Sequence, residues 1–385
     1  MSDPQVSTAK AISPDSGEHW ATPGAWKVTE GIHRIPLPLP TDGLKAVNVY
    51  AVETPAGLTL MDGGWAVPEG REALEKGLAQ LGAGVGDITS FLVTHVHRDH
   101  YTLASVLGAE VGATVTLGAL ERPVLDRVHA ADEQRGLDLP LRIAGAQPVI
   151  DAWGDFVPPA LDPGHWRYPD VWLEGDTSVQ VGSRRLDALH TPGHTRGHYV
   201  YADRAAGLLF AGDHVLPTIT PSIGVEPVSA PSPLRDFLAS LIKMRSLPDL
   251  RLLPAHGPVA PSVHARVDEL LLHHEERLAR SLEIVYGGPV TAYQVARELP
   301  WTRHQHRFET LDVFNQSLAA IETLAHLDVL VARGQATRTT DPDGDLFAVV
   351  AGLPLQPHRG VRDAVLDELG AVGDEAEGGV PGGER

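Results

Sequence analysis

Short apolar runs of strand length alternate with stretches of helical periodicity from about residue 26 to residue 257. The runs VNVYAVE, GLTLMD, ITSFLVTH and ATVTL read as strands, and residues 68–81 and 101–111 read as helices between them. Further on, SVQVG, RRLDALH, HYVYAD, GLLFAGD and RLLPAHG repeat the strand pattern, with a helix expected over 233–246. That alternation predicts an α/β fold. Residues 1–25 are rich in Ser, Pro and Asp without periodicity and are expected to form a disordered leader; they lack the apolar core of a secretory signal.

The pattern breaks over 121–176, where five of the chain's 21 aromatics fall within twenty residues: Trp153, Phe156, Trp166, Tyr168 and Trp172. Two readings stay open for this insertion, a self-packed surface loop or a cap that adds an apolar wall beside a site. Beyond residue 261 the chain changes character. Helices are expected over 263–285, 292–298 and 311–330, followed by two strands around the turn residues Asp341–Gly344. Helices followed by a hairpin predict a small, mainly helical, winged-helix-like module over 261–351. The acidic, Gly-rich residues 352–385 are expected to be a disordered tail.

Composition narrows the chemistry. The 385 residues carry 50 Asp and Glu against 31 Lys and Arg, a formal charge of −19, which repels phosphate backbones and anionic lipid over most of the surface. There is no cysteine, which excludes disulfides, thiol nucleophiles and thiolate-held metals, so any metal needs nitrogen and oxygen ligands. No stretch approaches the roughly 18–20 apolar residues of a membrane span. A cytoplasmic protein is expected.

The 19 histidines therefore carry weight. THVHRDH places His95, His97, Asp99 and His100 directly after an apolar strand, where alternation sends His95 and His97 to one side and the following turn can aim Asp99 and His100 at a second point. Burying so many imidazoles and carboxylates without partners costs several kcal/mol, and a divalent cation satisfies them together. Three more strands end in a candidate ligand next to glycine: His194 in TPGHT, Asp213 in AGDH and His256 in PAHGP. Sites of α/β folds gather at such strand ends. Seven candidates divide into two sets of three plus one carboxylate able to bridge two metals about 3.5–4 Å apart.

THVHRDH, TPGHT, the Asp of AGD and PAHGP, in this order, resemble the metallo-β-lactamase superfamily over roughly residues 28–258. The resemblance implies an αββα sandwich over 26–260, with His95, His97 and His194 on one zinc, Asp99, His100 and His256 on the other, and Asp213 between them. Iron or manganese are the alternative metals. Asp62 in LTLMDGG matches an acidic residue that ends an early strand in the family and is the expected partner of a ligating imidazole. The aspartate at 213 resembles the glyoxalase II type, and the region 254–335 is similar to the lactamase-β-2-like branch, which includes endoribonucleases and polyketide-type thioesterases.

The implied activity is that of a dinuclear zinc hydrolase in which metal-bound hydroxide attacks a thioester or related small acyl substrate, with Asp99 or Asp213 orienting the water. The alternative is an endoribonuclease or phosphodiesterase. Residues 258–340 hold eight basic against ten acidic side chains, which disfavours nucleic acid as a partner. The C-terminal module is expected to cover the site or to mediate a homodimer. His198 and His214 stay open between a supporting role and substrate contact, and Tyr101 between lining a pocket and capping a helix. His190 is expected to be structural, and His273 and His274 to lie on a solvated face or a domain junction. GAGVG at 82–86 follows a helix instead of a strand, so it does not form a dinucleotide loop.

Overall fold

The computed structural model describes residues 10–11, 17–40, 43–130, 136–154, 161–226, 228, 230–302 and 305–352. An eight-stranded sheet runs in chain order through β1 (Lys10–Ala11), β2 (Trp26–Thr29), β3 (Ile32–Pro38), β4 (Ala46–Thr54), β5 (Gly57–Met61), β6 (Ile88–Leu92), β7 (Thr114–Gly118) and β8 (Val171–Leu173). Strands β2 to β5 pair antiparallel and β5 to β8 pair parallel. A second sheet holds β9 (Thr177–Val181), β10 (Arg184–His190), β11 (Tyr199–Asp203), β12 (Leu208–Gly212) and β13 (Arg251–Pro254) in reverse spatial order.

Helices α1 (Pro68–Gln80), α2 (Arg98–Val111) and α3 (Arg122–His129) bury Leu74, Leu78, Leu103, Leu107 and Leu125 against Val47, Val49, Leu60 and Phe91 of the first sheet. Its other face, with Tyr50, Val52, Met61 and Leu92, joins Leu186, Tyr199, Tyr201 and Phe210 in a core between the sheets. Every residue of β11 and β12 is buried, in keeping with the apolar runs YVYA and LLFA. Three of the four layers of the expected αββα sandwich are thus formed here.

The compact units are not the contiguous segments expected. Met1–Asp132, Pro159–Pro221 and Asp249–Val263 form one, and Glu133–Pro158, Ser222–Pro248 and His264–Arg385 the other. The stretch 121–176 is accordingly neither one loop nor one cap. Its start, α3, and its end, with buried Trp166 and β8, complete the first unit. Its middle, α4 (Asp138–Ile143) and α5 (Gln147–Trp153), belongs to the second unit, where Trp153 Nε1 donates to Ser317 Oγ. The expected leader also holds structure: Lys10 and Ala11 pair with Trp26 and Lys27. Residues 353–385 of the expected tail lie outside the described residues.

The second unit contains α6 (Pro233–Arg245), α7 (Val263–Val285) from His264 onward, β14 (Val290–Thr291), α8 (Ala292–Glu298), α9 (Val313–Ala332) and the hairpin β15 (Ala336–Thr339) and β16 (Leu346–Val349). β16 lies between β14 and β15 in a three-stranded sheet. Thr291 and Gln294 cap α8 reciprocally, and Asp312 caps α9. Among the described residues no helix is long and apolar enough to cross a membrane.

His274 does not lie on a solvated face. It is buried between α7 and α9, with Nδ1 3.1 Å from His326 Nε2, while His326 Nδ1 donates to the Glu322 carbonyl. Burial pushes both imidazoles down, His326 to about 3. Below the ordinary histidine pKa near 6.5 the unfolded chain takes up protons that the folded pair refuses, so stability falls as pH drops through that value. Lowering the pH from 7.5 to 5 is expected to cost about 2 kcal/mol through His326 alone. Urea unfolding at the two pH values measures it, and the loss should shrink in His326→Gln.

Candidate metal centre

All seven predicted ligands sit in the first unit, at the C-terminal ends of strands from both sheets. Beyond β6 the chain leaves the strand and runs through bends at Thr94 and His97 before α2 begins at Arg98, with His97 as its N-cap. The helix thus starts three residues earlier than the sequence pattern indicates. Asp99 and His100 lie in its first turn, where a carboxylate is favoured by the helix N-terminus. His194 follows β10, Asp213 follows β12 and His256 follows β13.

Donor atoms converge in three overlapping groups, each within 4.8 Å: His95, His97 and His194; His95, His100 and Asp213; Asp99, His100 and His256. His97 Nδ1 lies 3.0 Å from both His95 Nε2 and His194 Nε2. His256 Nε2 lies 3.3 Å and His100 Nε2 3.6 Å from Asp99 Oδ2. Asp213 stands between the groups, with Oδ2 3.5 Å from His194 Nε2 and Oδ1 3.4 and 3.6 Å from His256 and His100 Nε2.

Ring orientation follows from the outer partners. His100 Nδ1 donates to Asp62 Oδ2 at 2.9 Å, and His256 Nδ1 donates to the Ala46 carbonyl at 2.8 Å, so in each neutral ring Nε2 is left with the lone pair. Asp62 also accepts from the amide and hydroxyl of Thr94, whose Oγ1 lies 3.0 Å from His95 Nδ1. One carboxylate therefore orients His100 directly and His95 through Thr94. Asp62 holds a left-handed backbone, φ 61°, which aspartate tolerates better than most residues. Asn48 Nδ2 donates to the carbonyls of Pro254 and Gly257, and Tyr50 Oη to Pro254, which pins the turn that carries His256.

The electrostatics divide the centre. Burial and the neighbouring rings push His95 well down and His97 to about 3, so both are neutral. Burial also opposes charge on His100 and His256, but Asp99 and Asp213 outweigh it and raise both, His100 to about 10 with help from Asp62. Asp99 and Asp213 are held below the usual carboxylate range by those imidazoles, against the effect of burial.

His198 is buried and stacks on His95, with ring centroids 5.0 Å apart. Its Nδ1 lies 2.9 Å from Thr191 Oγ1 and its Nε2 accepts from the Asp213 amide at 3.2 Å. It supports the Asp213 turn. Tyr101 does not cap a helix; buried in α2, it lines a cavity with Ser105, Arg167 and Asp170, and its hydroxyl donates to the Arg167 carbonyl. His190 Nε2 bonds the Arg196 carbonyl, a structural contact as expected.

Gly212 shows how tight the packing is. Its φ is +50°, and an added Cβ would lie 2.7 Å from His198 Nε2 and 2.8 Å from Thr94 Oγ1. Gly212→Ala is expected to cost about 2–4 kcal/mol through strain and overpacking, read as a lower melting temperature together with loss of bound metal.

The donor set fits a divalent cation. His100 Nε2, His256 Nε2 and Asp213 Oδ1 are buried, face one another and close no hydrogen bond, a costly arrangement that a cation relieves. Nitrogen and oxygen donors without sulfur suit zinc, iron or manganese.

Such strand-end histidines and aspartates on two packed sheets define a metal-dependent α/β hydrolase site. The chain belongs to the metallo-β-lactamase superfamily, whose family model matches residues 42–256. It is 26% identical over 323 residues to a probable metallo-hydrolase, YqjP, of Bacillus subtilis, covering 80% of this chain and 95% of that protein. The crystal structure of a metallo-β-lactamase family protein, TTHA1429, from Thermus thermophilus is 27% identical, with a TM-score of 0.67 over 84% of this chain and 100% of that one. An atrochrysone carboxyl ACP thioesterase of Aspergillus fumigatus is 24% identical over 62% of this chain and 44% of its own length.

Proposed function

We propose that the protein is a dinuclear zinc hydrolase of thioesters or related small acyl substrates. The observation that carries this reading is the position of Asp213, one oxygen facing His194 and the other facing His100 and His256. On this reading His95, His97 and His194 hold one ion, Asp99, His100 and His256 the other, and Asp213 both. A metal bound there would supply Lewis acidity to a carbonyl and bring the pKa of water down to around 7.

The chain's own residues do the rest. Asp99 and Asp213, both held ionised, accept hydrogen bonds from an attacking water and aim its lone pair at the acyl carbon. Asp99 is the better placed of the two, because its carboxylate is 14% exposed and substrate can reach it, whereas Asp213 is 8% exposed. Asp62, Thr94 and the Ala46 carbonyl keep the imidazole protons on the outward nitrogens. No serine or cysteine nucleophile is required.

The thioester class is supported by the relative named as an ACP thioesterase. The run of α7, β14, α8, α9 and the β15–β16 hairpin is read as winged-helix-like, and the small acidic excess of residues 258–340, ten acidic against eight basic side chains, argues against an RNA substrate. A panel of an acyl-CoA, S-lactoylglutathione, a lactone, bis(p-nitrophenyl) phosphate and single-stranded RNA tests the reading. A thioester should be the fastest substrate. Cleavage confined to RNA or the phosphodiester would replace the reading with that of an endoribonuclease.

A further inference from the structure

Glu121 ends the short turn Ala119–Glu121 after β7, and none of it reaches solvent. Its Oε1 accepts a 2.5 Å hydrogen bond from Thr195 Oγ1, the residue next to His194. The backbone amides of Val96, between His95 and His97, and of Gly197 face the same carboxylate, although Oε2 closes no hydrogen bond of its own. The fit against the TPGHT turn is close: a Cβ on Gly197 would lie 2.6 Å from Glu121 Cγ. Burial pushes the Glu121 carboxyl up to about 7, and the hydroxyl and amides pull the other way.

We propose that Glu121 is a positioning residue for the metal centre, its carboxylate tying the turn of His95 and His97 to the turn of His194 and so fixing the three-imidazole set. The inference rests on the reading that this set holds a metal. Filling space alone would not select a carboxylate here, because burying one costs several kcal/mol and an apolar side chain fills the same volume without that cost. What a carboxylate adds is acceptor capacity toward donors on two separate turns. Glutamine keeps the size and one acceptor, but its amide group turns N–H donors toward a backbone that also donates.

Co2+ titration of metal-free protein, followed by calorimetry and visible absorption, tests the proposal. The His256→Ala background leaves the three-imidazole set as the tighter site. In that background Glu121→Gln and Thr195→Val are expected to weaken Co2+ binding about 10- to 100-fold, as loss of an outer partner does. Thr195→Ser, which keeps the hydroxyl, should restore it. The melting temperatures of the metal-free proteins separate lost positioning from lost folding, and if Glu121→Gln fails to fold, the Val and Ser pair at 195 decides.

Affinities within about threefold of the background protein in both Glu121→Gln and Thr195→Val would overturn the inference and leave the hydrolase reading standing. Absence of Co2+ binding in the wild-type chain would overturn both.

Discussion

Asp213→Ala is expected to lower kcat/KM for thioester cleavage by about 10³-fold and to reduce bound metal below two ions per chain. Loss of an outer partner costs 10- to 100-fold, and a carboxylate that faces both ligand sets should cost more than that. The substitution removes a carboxylate that lies within 3.6 Å of three imidazoles, those of His100, His194 and His256. Asp213→Asn keeps one carbonyl oxygen but no negative charge, so it should fall between wild type and Ala. Steady-state kinetics with parallel metal analysis measure both effects. Wild-type turnover in Asp213→Ala would remove Asp213 from the chemistry.

Asp62→Ala carries a large expected effect on both stability and metal binding. It strands the Thr94 amide, the Thr94 hydroxyl and His100 Nδ1, all buried donors. An unsatisfied buried donor costs about 1–3 kcal/mol, and water entering the vacated space recovers part of the total, so a net loss of about 3 kcal/mol is expected. At about 2–4 °C per kcal/mol for a unit of this size, the melting temperature should fall by roughly 6–12 °C. Asp62→Asn retains a side chain that accepts the left-handed backbone and one acceptor oxygen, so its melting temperature should fall less. It should still lose metal affinity about 10- to 100-fold, because the tautomers of His95 and His100 are no longer fixed. Calorimetric melting of the metal-free variants and metal titration separate the two effects.

Much of the fold was legible because buried strands write themselves as apolar runs, as β4, β11 and β12 do. Strand β3 escaped notice because Pro36 and Pro38 argue against a paired strand. Both lie past the reach of β2, whose pairing ends at Trp26 opposite Arg34, so no N–H is needed on that edge. The ligand candidates were legible for a different reason: each follows an apolar run, and strand ends of one sheet edge converge.

The supporting residues were not legible. Thr94, Asn48 and Glu121 are single polar residues within or just after apolar runs, and only the fold reveals that each faces a ligand turn. A polar residue inside a run such as VNVYAVE is the one sequence signal that could have marked Asn48. The stretch 121–176 misled because its aromatics serve two units, Trp166 in one and Trp153 in the other. His274 misled because its charged and polar neighbours on α7, exposed His273 among them, hide that it faces α9.

Metal content of the freshly purified wild-type chain tests the central claim most directly. Plasma mass spectrometry should find about two zinc ions per chain, falling to about one in His256→Ala. A single iron per chain, unchanged by His256→Ala, would contradict the dinuclear hydrolase.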